Sequence, residues 1–219
     1  MNRSSGMYQL YYYPGNANLA PHMLLEEIGA DYELVLVDRS RNEQKSAAYL
    51  ELNPAGRIPV LVDADLVLYE SAAICLHLAD RHPAAGLAPA LGSDERAHFY
   101  KWLMYLTNTV QAELLVYFYP ERLADEAAAA AQVKAHAESR IGAMLDLIEA
   151  ALAAGSGPFL LGAQYRAVDA YLLMLCRWTR NLQHPARARP RLGRFLDTVM
   201  ARAATQRAFA KEGIAAPFY

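Results

Sequence analysis

The side chains best suited to chemistry lie at the end of one stretch, YLELNPAGRIPVLVDADLVLYES, which closes on Ser71. Ser71 is a suitable N-cap for a following helix, and a helix N-terminus can hold a carboxylate. Glu70 can hold an ammonium group, and the backbone of Ile58 can pair with an extended peptide by strand addition. These groups together suit a small peptide that carries both charges at one end. A proline-stiffened hairpin followed by an ordinary capped helix explains the same residues, and the residue types alone leave both interpretations open.

A hairpin has to position these groups. Pro59 precedes a short apolar run and cannot donate to a strand ladder, so we expect it at the entrance of a strand, where a cis bond after Ile58 is tolerated. The motif DAD predicts a tight turn between a strand at 60–62 and a strand at 66–68. The second strand then runs directly into Glu70.

The rest of the first half alternates strand and helix patterns. Gly29 is expected to end the first helix, for which Asn18 is a competent N-cap. A strand, a helix and a second strand at this spacing predict a parallel pair of strands. The predicted order is strand, helix, strand, helix, strand, strand, helix, at 9–13, 18–28, 32–37, 46–52, 60–62, 66–68 and 71–80.

The second half has a helical pattern throughout, after a linker at 84–92 that contains proline and glycine. Apolar residues recur every three to four positions in a helix that continues to Pro120 and in another at 133–152. The segment 168–180 is apolar on nearly all sides, which predicts a helix buried in this domain. A final helix is expected at about 192–210.

Several motifs together resemble the cytosolic glutathione transferases. The pattern N-P-x-G-R-I-P-V-L, followed by Y-E-S-A-A-I, resembles the glutathione-binding half of that family. A Y-P-G turn, LAPHMLLEEIG and PFLLGAQYRAVDAYLLMLC agree in the expected order over nearly the whole chain. The resemblance is to a bacterial, beta-like member. It implies an α/β thioredoxin-like N-terminal domain at 7–84, an all-α C-terminal domain at 93–219, and a cytoplasmic homodimer.

The same resemblance implies where glutathione, the co-substrate, would bind. The backbone of Ile58 would pair with the cysteinyl unit, and Glu70 and Ser71 would take the γ-glutamyl end. Lys45 or Arg41 would meet the glycyl carboxylate, although solvated surface charge also explains both residues. The implied glutathione-binding residues are Ile58, Pro59, Glu70, Ser71, Lys45 and Arg57.

A glutathione transferase must turn a thiol into a thiolate near neutral pH. Lowering a thiol pKa of about 8.5 by two units takes about 2.7 kcal/mol, and one hydrogen bond to a charged group supplies roughly 1.5–3 kcal/mol. The beta-class cysteine would stand at Ala17 and the beta-class histidine near Gln111, and this sequence has neither. Asn18 is the preferred donor, Tyr12 the second and Asn16 the third. Each has an ordinary alternative role, as helix cap, core aromatic and turn former.

The helical domain would line the pocket for the second substrate, a small hydrophobic electrophile. Tyr105, Thr109 and Trp178 are the candidates, although aromatic residues at helical spacing are also typical of a core. The expected reaction is conjugation of the thiolate to this electrophile, in detoxification. One alternative is a disulfide reductase resembling the nu class, which uses an asparagine in the same turn. Another is a glutathione-binding or interaction module without turnover, which the missing cysteine and histidine favour.

Composition argues against several other classes of protein. The net charge of −2 provides no electrostatic field that favours binding of nucleic acid, and no apolar run is long enough to span a membrane.

Cys75 and Cys176 lie far apart in apolar helical runs and are expected to be buried thiols. The histidines have no common spacing with carboxylates, so no metal site is predicted. The leader MNRSSG is expected to be disordered, and the arginines within 177–194 are expected in a solvated loop, with an anionic substrate or partner as the alternative.

Overall fold

The computed structural model describes residues 7–219, so the MNRSSG leader lies outside the described residues. The chain divides into two compact units. One comprises the described residues up to Ala88 together with Met200–Ala216, and the other comprises Pro89–Val199 and Pro217–Tyr219. The segment 200–216, predicted to lie in the helical domain, thus belongs to the unit that contains the sheet.

The strands all lie in the first half of the described chain, in the predicted order, and the predicted bounds agree to within one or two residues. Strand β1 begins and ends one residue earlier than predicted, so Tyr12 is its last residue. The elements are β1 (Tyr8–Tyr12), α1 (Leu19–Ile28), β2 (Tyr32–Leu36), α2 (Ala47–Leu52), β3 (Val60–Asp63), β4 (Leu66–Tyr69), α3 (Ser71–Arg81), α4 (Asp94–Tyr105), α5 (Ala112–Phe118), α6 (Ala127–Ala154), α7 (Ala167–Trp178), α8 (Pro190–Met200) and α9 (Ala203–Lys211).

The sheet has the strand order β2-β1-β3-β4. Strand β1 runs parallel to β2, as the predicted strand-helix-strand unit requires, and antiparallel to β3. Strand β4 pairs with β3 as a hairpin and forms one edge of the sheet. This arrangement is the thioredoxin-like order expected from the sequence.

The two faces of the sheet bury different side chains because successive residues of a strand point to opposite faces. On one face, Tyr49 of α2 packs with Val60 and with the partly buried Tyr11. On the other face, Asp63 of β3 accepts a hydrogen bond from His77 of α3 at 2.9 Å. Helices α2 and α3 therefore cover opposite faces of the sheet.

The helix predicted to continue to Pro120 extends to Phe118, but its geometry changes from α-helical to π-helical partway along. Between α4 and α5 lies a π-helical segment, Leu106–Gln111. Just inside it, the Thr107 hydroxyl donates to the carbonyl of Leu103 at 3.1 Å, a bond of the kind that bends helices. Helix α7 is buried over residues 167–176, which confirms the prediction of a central helix.

The prediction of a single final helix at 192–210 is wrong, because the structure has two helices there, α8 and α9. Between them Arg202 is extended, with φ −71° and ψ 132°. Its guanidinium donates to both carboxylate oxygens of Glu27 in α1, at 2.5 and 2.7 Å. A bidentate pair of this kind fixes the geometry of the two side chains as well as stabilising their contact. It keeps Arg202 extended, so α8 and α9 do not join into one continuous helix.

Cys75 and Cys176 are both buried, as predicted, and burial raises the pKa of each thiol. Neither cysteine is therefore suited to act as a thiolate at neutral pH. None of the helices described within 7–219 has both the length and the apolar character that crossing a membrane requires.

Candidate active site

One end of the sheet gathers the candidate residues. Val60 pairs with both Tyr11 and Tyr69 in antiparallel register. The turn that follows β1, the Ile58-Pro59 segment that precedes β3, and the residues that follow β4 therefore lie at the same end of the sheet. The register thus brings together the groups that the sequence predicts to bind a peptide.

The backbone of Ile58 is free to pair with a ligand. The Ile58–Pro59 peptide bond is cis, and no group within residues 7–219 hydrogen-bonds to the N–H or C=O of Ile58. The preceding carbonyl, that of Arg57, accepts bonds from the Tyr49 hydroxyl at 2.8 Å and from the Asn53 amide at 2.7 Å. These two bonds hold the segment in place, so an extended peptide would meet a preformed partner.

Glu70, rather than Ser71, occupies the N-cap position of α3. Glu70 has a φ of 72° and a ψ of 111°, and its carbonyl accepts the bond from Ile74 at 3.0 Å. Ser71 is the first helical residue and makes no capping bond, so its predicted role as N-cap was wrong. The chain leaves β4 at Tyr69 and must turn within one residue, which the left-handed conformation of Glu70 achieves.

The side chain of Glu70 is exposed, and no residue in the described part of the chain pairs with its carboxylate. Directly beside it, the first N–H groups of α3 have no partner within the helix. A free carboxylate next to a helix N-terminus can hold an ammonium and a carboxylate of one ligand. This is the charge pattern expected from the sequence.

Basic side chains lie around the turn that leads into Ile58. Lys45 Nζ donates to the carbonyl of Ala55 in that turn at 3.2 Å. The Arg57 side chain is exposed, whereas Arg41 lies 3.7 Å from Glu43. Of the three predicted cations, Lys45 is therefore the one that hydrogen-bonds to the turn leading into Ile58.

Asn18 occupies the N-cap position of α1, as predicted, but it is completely buried and its side chain makes no capping bond. The oxygen of its amide accepts from the backbone N–H of Tyr13 at 3.2 Å, and the nitrogen donates to Glu212 at 2.9 Å. The amide therefore closes the turn between β1 and α1, and it is already bonded on both sides. Glu212 also accepts from the backbone N–H of Gly15 at 2.8 Å.

His22 extends this network into α1. Its Nδ1 lies 2.8 Å from Glu212 and its Nε2 lies 2.9 Å from the Tyr32 hydroxyl, with His22 and Glu212 side chains both fully buried. The hydroxyl of Tyr32 in turn accepts a bond from Lys211 Nζ at 2.9 Å. The C-terminal end of α9 is therefore bonded to the turn, to α1 and to β2.

Glu26 is the second carboxylate of the network. It accepts a bond from the Tyr32 hydroxyl and pairs with Lys211 and Arg207, each at 2.6 Å. Burial raises the pKa of Glu26, but the bonds from Lys211, Tyr32 and Arg207 outweigh it and lower the pKa to about 2. Burial and the Glu26 carboxylate raise the pKa of Tyr32 to about 12.

Sequence reasoning missed this network. Glu212 lies 190 positions after His22, so no spacing motif joins them. A weaker signal was present in the charges, because α1 ends in the acidic pair Glu26-Glu27 whereas α9 and its start carry Arg202, Arg207 and Lys211. Complementary charge of this kind favours pairing of the two helices.

The other two donors predicted for a thiol are less enclosed. Tyr12, the last residue of β1, is half-buried, and no described residue bonds to its hydroxyl. Asn16 lies in the turn, where its amide oxygen accepts from Arg39 at 2.8 Å and its nitrogen donates to Pro14 at 3.4 Å. Of the three predicted donors, Tyr12 is thus the one whose side chain has no hydrogen-bond partner among the described residues.

The residues predicted to meet an electrophile lie in the helical unit. Tyr105 is half-buried, its hydroxyl donates to the carbonyl of Met144 at 3.5 Å, and burial raises its pKa. Thr109 lies in the π-helical segment, and π-helical turns are frequent at functional sites. Trp178 ends α7 and meets Phe118 edge to face, with ring centroids 6.5 Å apart.

Other predicted features of the helical unit have structural partners. Gln111, near the place of the beta-class histidine, accepts a bond from the Tyr171 hydroxyl. Arg189, predicted in a solvated loop, is instead mostly covered and donates to Asp146 at 2.7 Å and to the carbonyl of Gly142 at 3.0 Å. Within residues 7–219, no three His, Cys, Asp or Glu side chains are grouped so as to hold a metal ion.

Comparison with known proteins gives matches along nearly the whole chain. A family model described as the glutathione S-transferase N-terminal domain matches residues 7–80. Glutathione S-transferase 3 of Zea mays is 34% identical over 85% of this chain and 86% of its own. A solved glutathione transferase from Methylococcus capsulatus str. Bath is 34% identical with a TM-score of 0.84, covering 95% of this chain and 100% of that one. A glutathione transferase homolog from Sulfitobacter, solved with bound glutathione, is 28% identical with a TM-score of 0.86, covering 95% and 99%.

These matches agree with the residues described above. The family model spans the stretch that carries Ile58, Glu70 and Ser71, and the solved structures share the sheet-containing unit and the mostly helical remainder. The chain therefore belongs to the glutathione S-transferase family: it is a glutathione transferase with a thioredoxin-like N-terminal domain, and glutathione is its co-substrate.

Proposed function

We propose that this enzyme conjugates the thiolate of bound glutathione to a small hydrophobic electrophile. The observation that carries the proposal is the unpaired backbone of Ile58 at the same sheet end as the exposed carboxylate of Glu70. The cysteinyl unit of glutathione would pair with Ile58, and its γ-glutamyl end would meet Glu70 and the α3 N-terminus at Ser71. The glycyl carboxylate would be met by Lys45, with Arg57 as a second cation.

For thiol activation we favour Tyr12 as the donor and give Asn18 a supporting role. This order reverses the preference drawn from the sequence. A buried amide that already bonds to Tyr13 and Glu212 has to break a contact before it can donate to a thiolate, whereas the Tyr12 hydroxyl has none to break. Asn16 stays the third candidate, and the N-terminus of α1 adds roughly 0.3–1 kcal/mol for a thiolate placed there.

The electrophile is proposed to contact Tyr105, Thr109 and Trp178. Aromatic rings with one polar handle suit a flat apolar substrate. The π-helical segment supports this proposal, because it changes which side chains the helix presents around Thr109. Such a substrate is consistent with a role in detoxification.

We also propose that the enzyme is a cytoplasmic homodimer, as the family resemblance implies. Strand β4 is an edge of the sheet and exposes Leu66, Val67 and Tyr69 by 42%, 40% and 41%. A partner would cover this apolar edge. Light scattering coupled to size-exclusion chromatography tests the dimer, and a monomeric mass at micromolar concentration would contradict it.

The first experiment is a titration with glutathione in which thiolate absorbance is followed across pH. We expect the thiol of bound glutathione to ionise one to two pH units, roughly, below the free thiol at about 8.5. Turnover is then screened on aromatic electrophiles and on glutathione mixed disulfides. Turnover of electrophiles supports the proposal, turnover of disulfides alone supports the reductase alternative, and an unshifted thiol would overturn thiol activation at this site.

A further inference from the structure

The carboxylate of Glu212 is the acceptor around which the turn between β1 and α1 closes. Glu212 is the C-cap residue of α9 and is only 4% exposed. One of its oxygens accepts the backbone N–H of Gly15 at 2.8 Å. The other lies 2.9 Å from the amide nitrogen of Asn18 and 2.8 Å from Nδ1 of His22. One side chain from the C-terminal segment thus contacts both ends of the turn at which the thiol would be activated.

His22 continues the network from Glu212 to β2. Its Nδ1 lies 2.8 Å from the Glu212 oxygen that also accepts from Asn18. Its Nε2 lies 2.9 Å from the Tyr32 hydroxyl, which donates to Glu26 and accepts from Lys211. Contacts with α1 as well as with the turn therefore hold the side chain of Glu212 in place.

Helix α9 has other attachments to α1 that do not involve Glu212. Arg202 forms its bidentate pair with Glu27. Arg207 donates both to the carboxylate of Glu26, at 2.6 Å, and to its backbone carbonyl, at 3.1 Å. Replacing the Glu212 carboxylate with an amide therefore leaves the helix anchored, whereas the turn keeps one acceptor oxygen in place of two and gains an N–H₂ group that faces other donors. The two effects can be separated by mutation.

We propose that Glu212 is a positioning residue for glutathione thiol activation, acting through the turn at Gly15 and Asn18. The turn determines where the start of α1 and the end of β1, with Tyr12, stand relative to the thiol. A turn in which one of the two acceptor oxygens is replaced by a donor no longer presents these groups in one geometry, and misplacement of about 1 Å is enough to cost activity. This inference rests on the proposed transferase chemistry at this end of the sheet.

The test compares Glu212→Gln with Arg202→Gln, which weakens the anchoring of α9 but does not touch the turn. We expect Glu212→Gln to raise the thiol pKa of bound glutathione by about one unit and to lower kcat roughly tenfold. The KM for glutathione should stay within about twofold, because the groups at Ile58 and Glu70 are unaltered. Arg202→Gln should lower the melting temperature and leave both the thiol pKa and kcat unchanged.

A second readout does not depend on activity. Hydrogen exchange of the Gly15 amide in the free protein should accelerate in Glu212→Gln and not in Arg202→Gln. Glu212→Asp serves as the second variant if Glu212→Gln does not fold, since it keeps a carboxylate for His22 but shortens the reach to Gly15. The same rise in thiol pKa is expected of it.

The outcomes separate the two proposals. If the parent enzyme ionises bound glutathione normally and Glu212→Gln behaves like Arg202→Gln in thiol pKa, kcat and Gly15 exchange, Glu212 only anchors the helix and the inference is overturned. If the parent enzyme itself shows no shifted thiol, the proposed thiol activation fails. Faster Gly15 exchange in Glu212→Gln would then still support the structural half of the inference.

Discussion

Glu70 and Asp65 sit at opposite ends of one hairpin and provide a matched pair of exposed acidic residues. Glu70 is at the site end, after β4, and Asp65 is in the tight turn between β3 and β4. We expect Glu70→Gln to weaken glutathione binding by roughly 10- to 100-fold, because a bond to a charged group contributes roughly 1.5–3 kcal/mol. Titration calorimetry measures the change. Asp65→Asn is the control. An equal loss of glutathione affinity in both variants would mean that Glu70 acts only through the overall electrostatic field of the protein and not through direct contact with the ligand.

The hydroxyl of Tyr12 offers a second test at a single atom. Tyr12→Phe should raise the pKa of the bound thiol by about one to two units, since it removes a donor worth roughly 1.5–3 kcal/mol to a thiolate. Glutathione affinity at low pH, where the thiol is neutral, should be unchanged. Tyr13→Phe is the control, because Tyr13 follows in the chain but lies outside β1. A larger effect of Asn18→Ala than of Tyr12→Phe would restore Asn18 as the donor.

At the scale of elements, local patterns predicted where helices and strands begin better than they predicted what each terminal side chain does. Gly29 ends α1 in the left-handed conformation, as expected from glycine there. Ser71 did not cap α3, because the turn after β4 put Glu70 in the cap position, a tertiary constraint that residue preference does not contain. The break between α8 and α9 depends on a partner in α1 about 175 positions away, Glu27. Contacts at that separation leave no spacing motif in the sequence, and only the complementary charges of the two helices indicate them.

The contact between α1 and α9 should make the stability of the enzyme depend on acid pH through Glu26. Its folded pKa of about 2 lies below the ordinary value of 4.5, so its stabilising contribution is complete above about pH 4.5 and is lost as the pH falls towards 2. The shift corresponds to about 3 kcal/mol. We expect Glu26→Gln to lower the free energy of unfolding by about this much at pH 7 and by much less at about pH 3. Urea titrations of both proteins at the two pH values test this, and a gap that does not change with pH would assign the loss to packing.

At the scale of the whole molecule, each compact unit carries one buried thiol. Cys75 lies in α3 of the unit that contains the sheet, and Cys176 lies in α7 of the helical unit. Both are almost without exposed surface, at 0% and 2%, and burial raises the pKa of both thiols. A thiol reagent therefore reports the opening of each unit separately, once the other cysteine is replaced.

We expect both cysteines to be unreactive in the native enzyme and to become reactive as urea opens the unit that holds each one. Glu26→Gln weakens only the first unit, where Glu26, Arg207 and Lys211 lie. The urea midpoint for labelling Cys75, measured with Cys176→Ser, should therefore fall by roughly 1–2 M. The midpoint for labelling Cys176, measured with Cys75→Ser, should fall by less. Equal shifts at the two thiols would show instead that the units unfold as one, and that the charge cluster around α9 stabilises the entire chain.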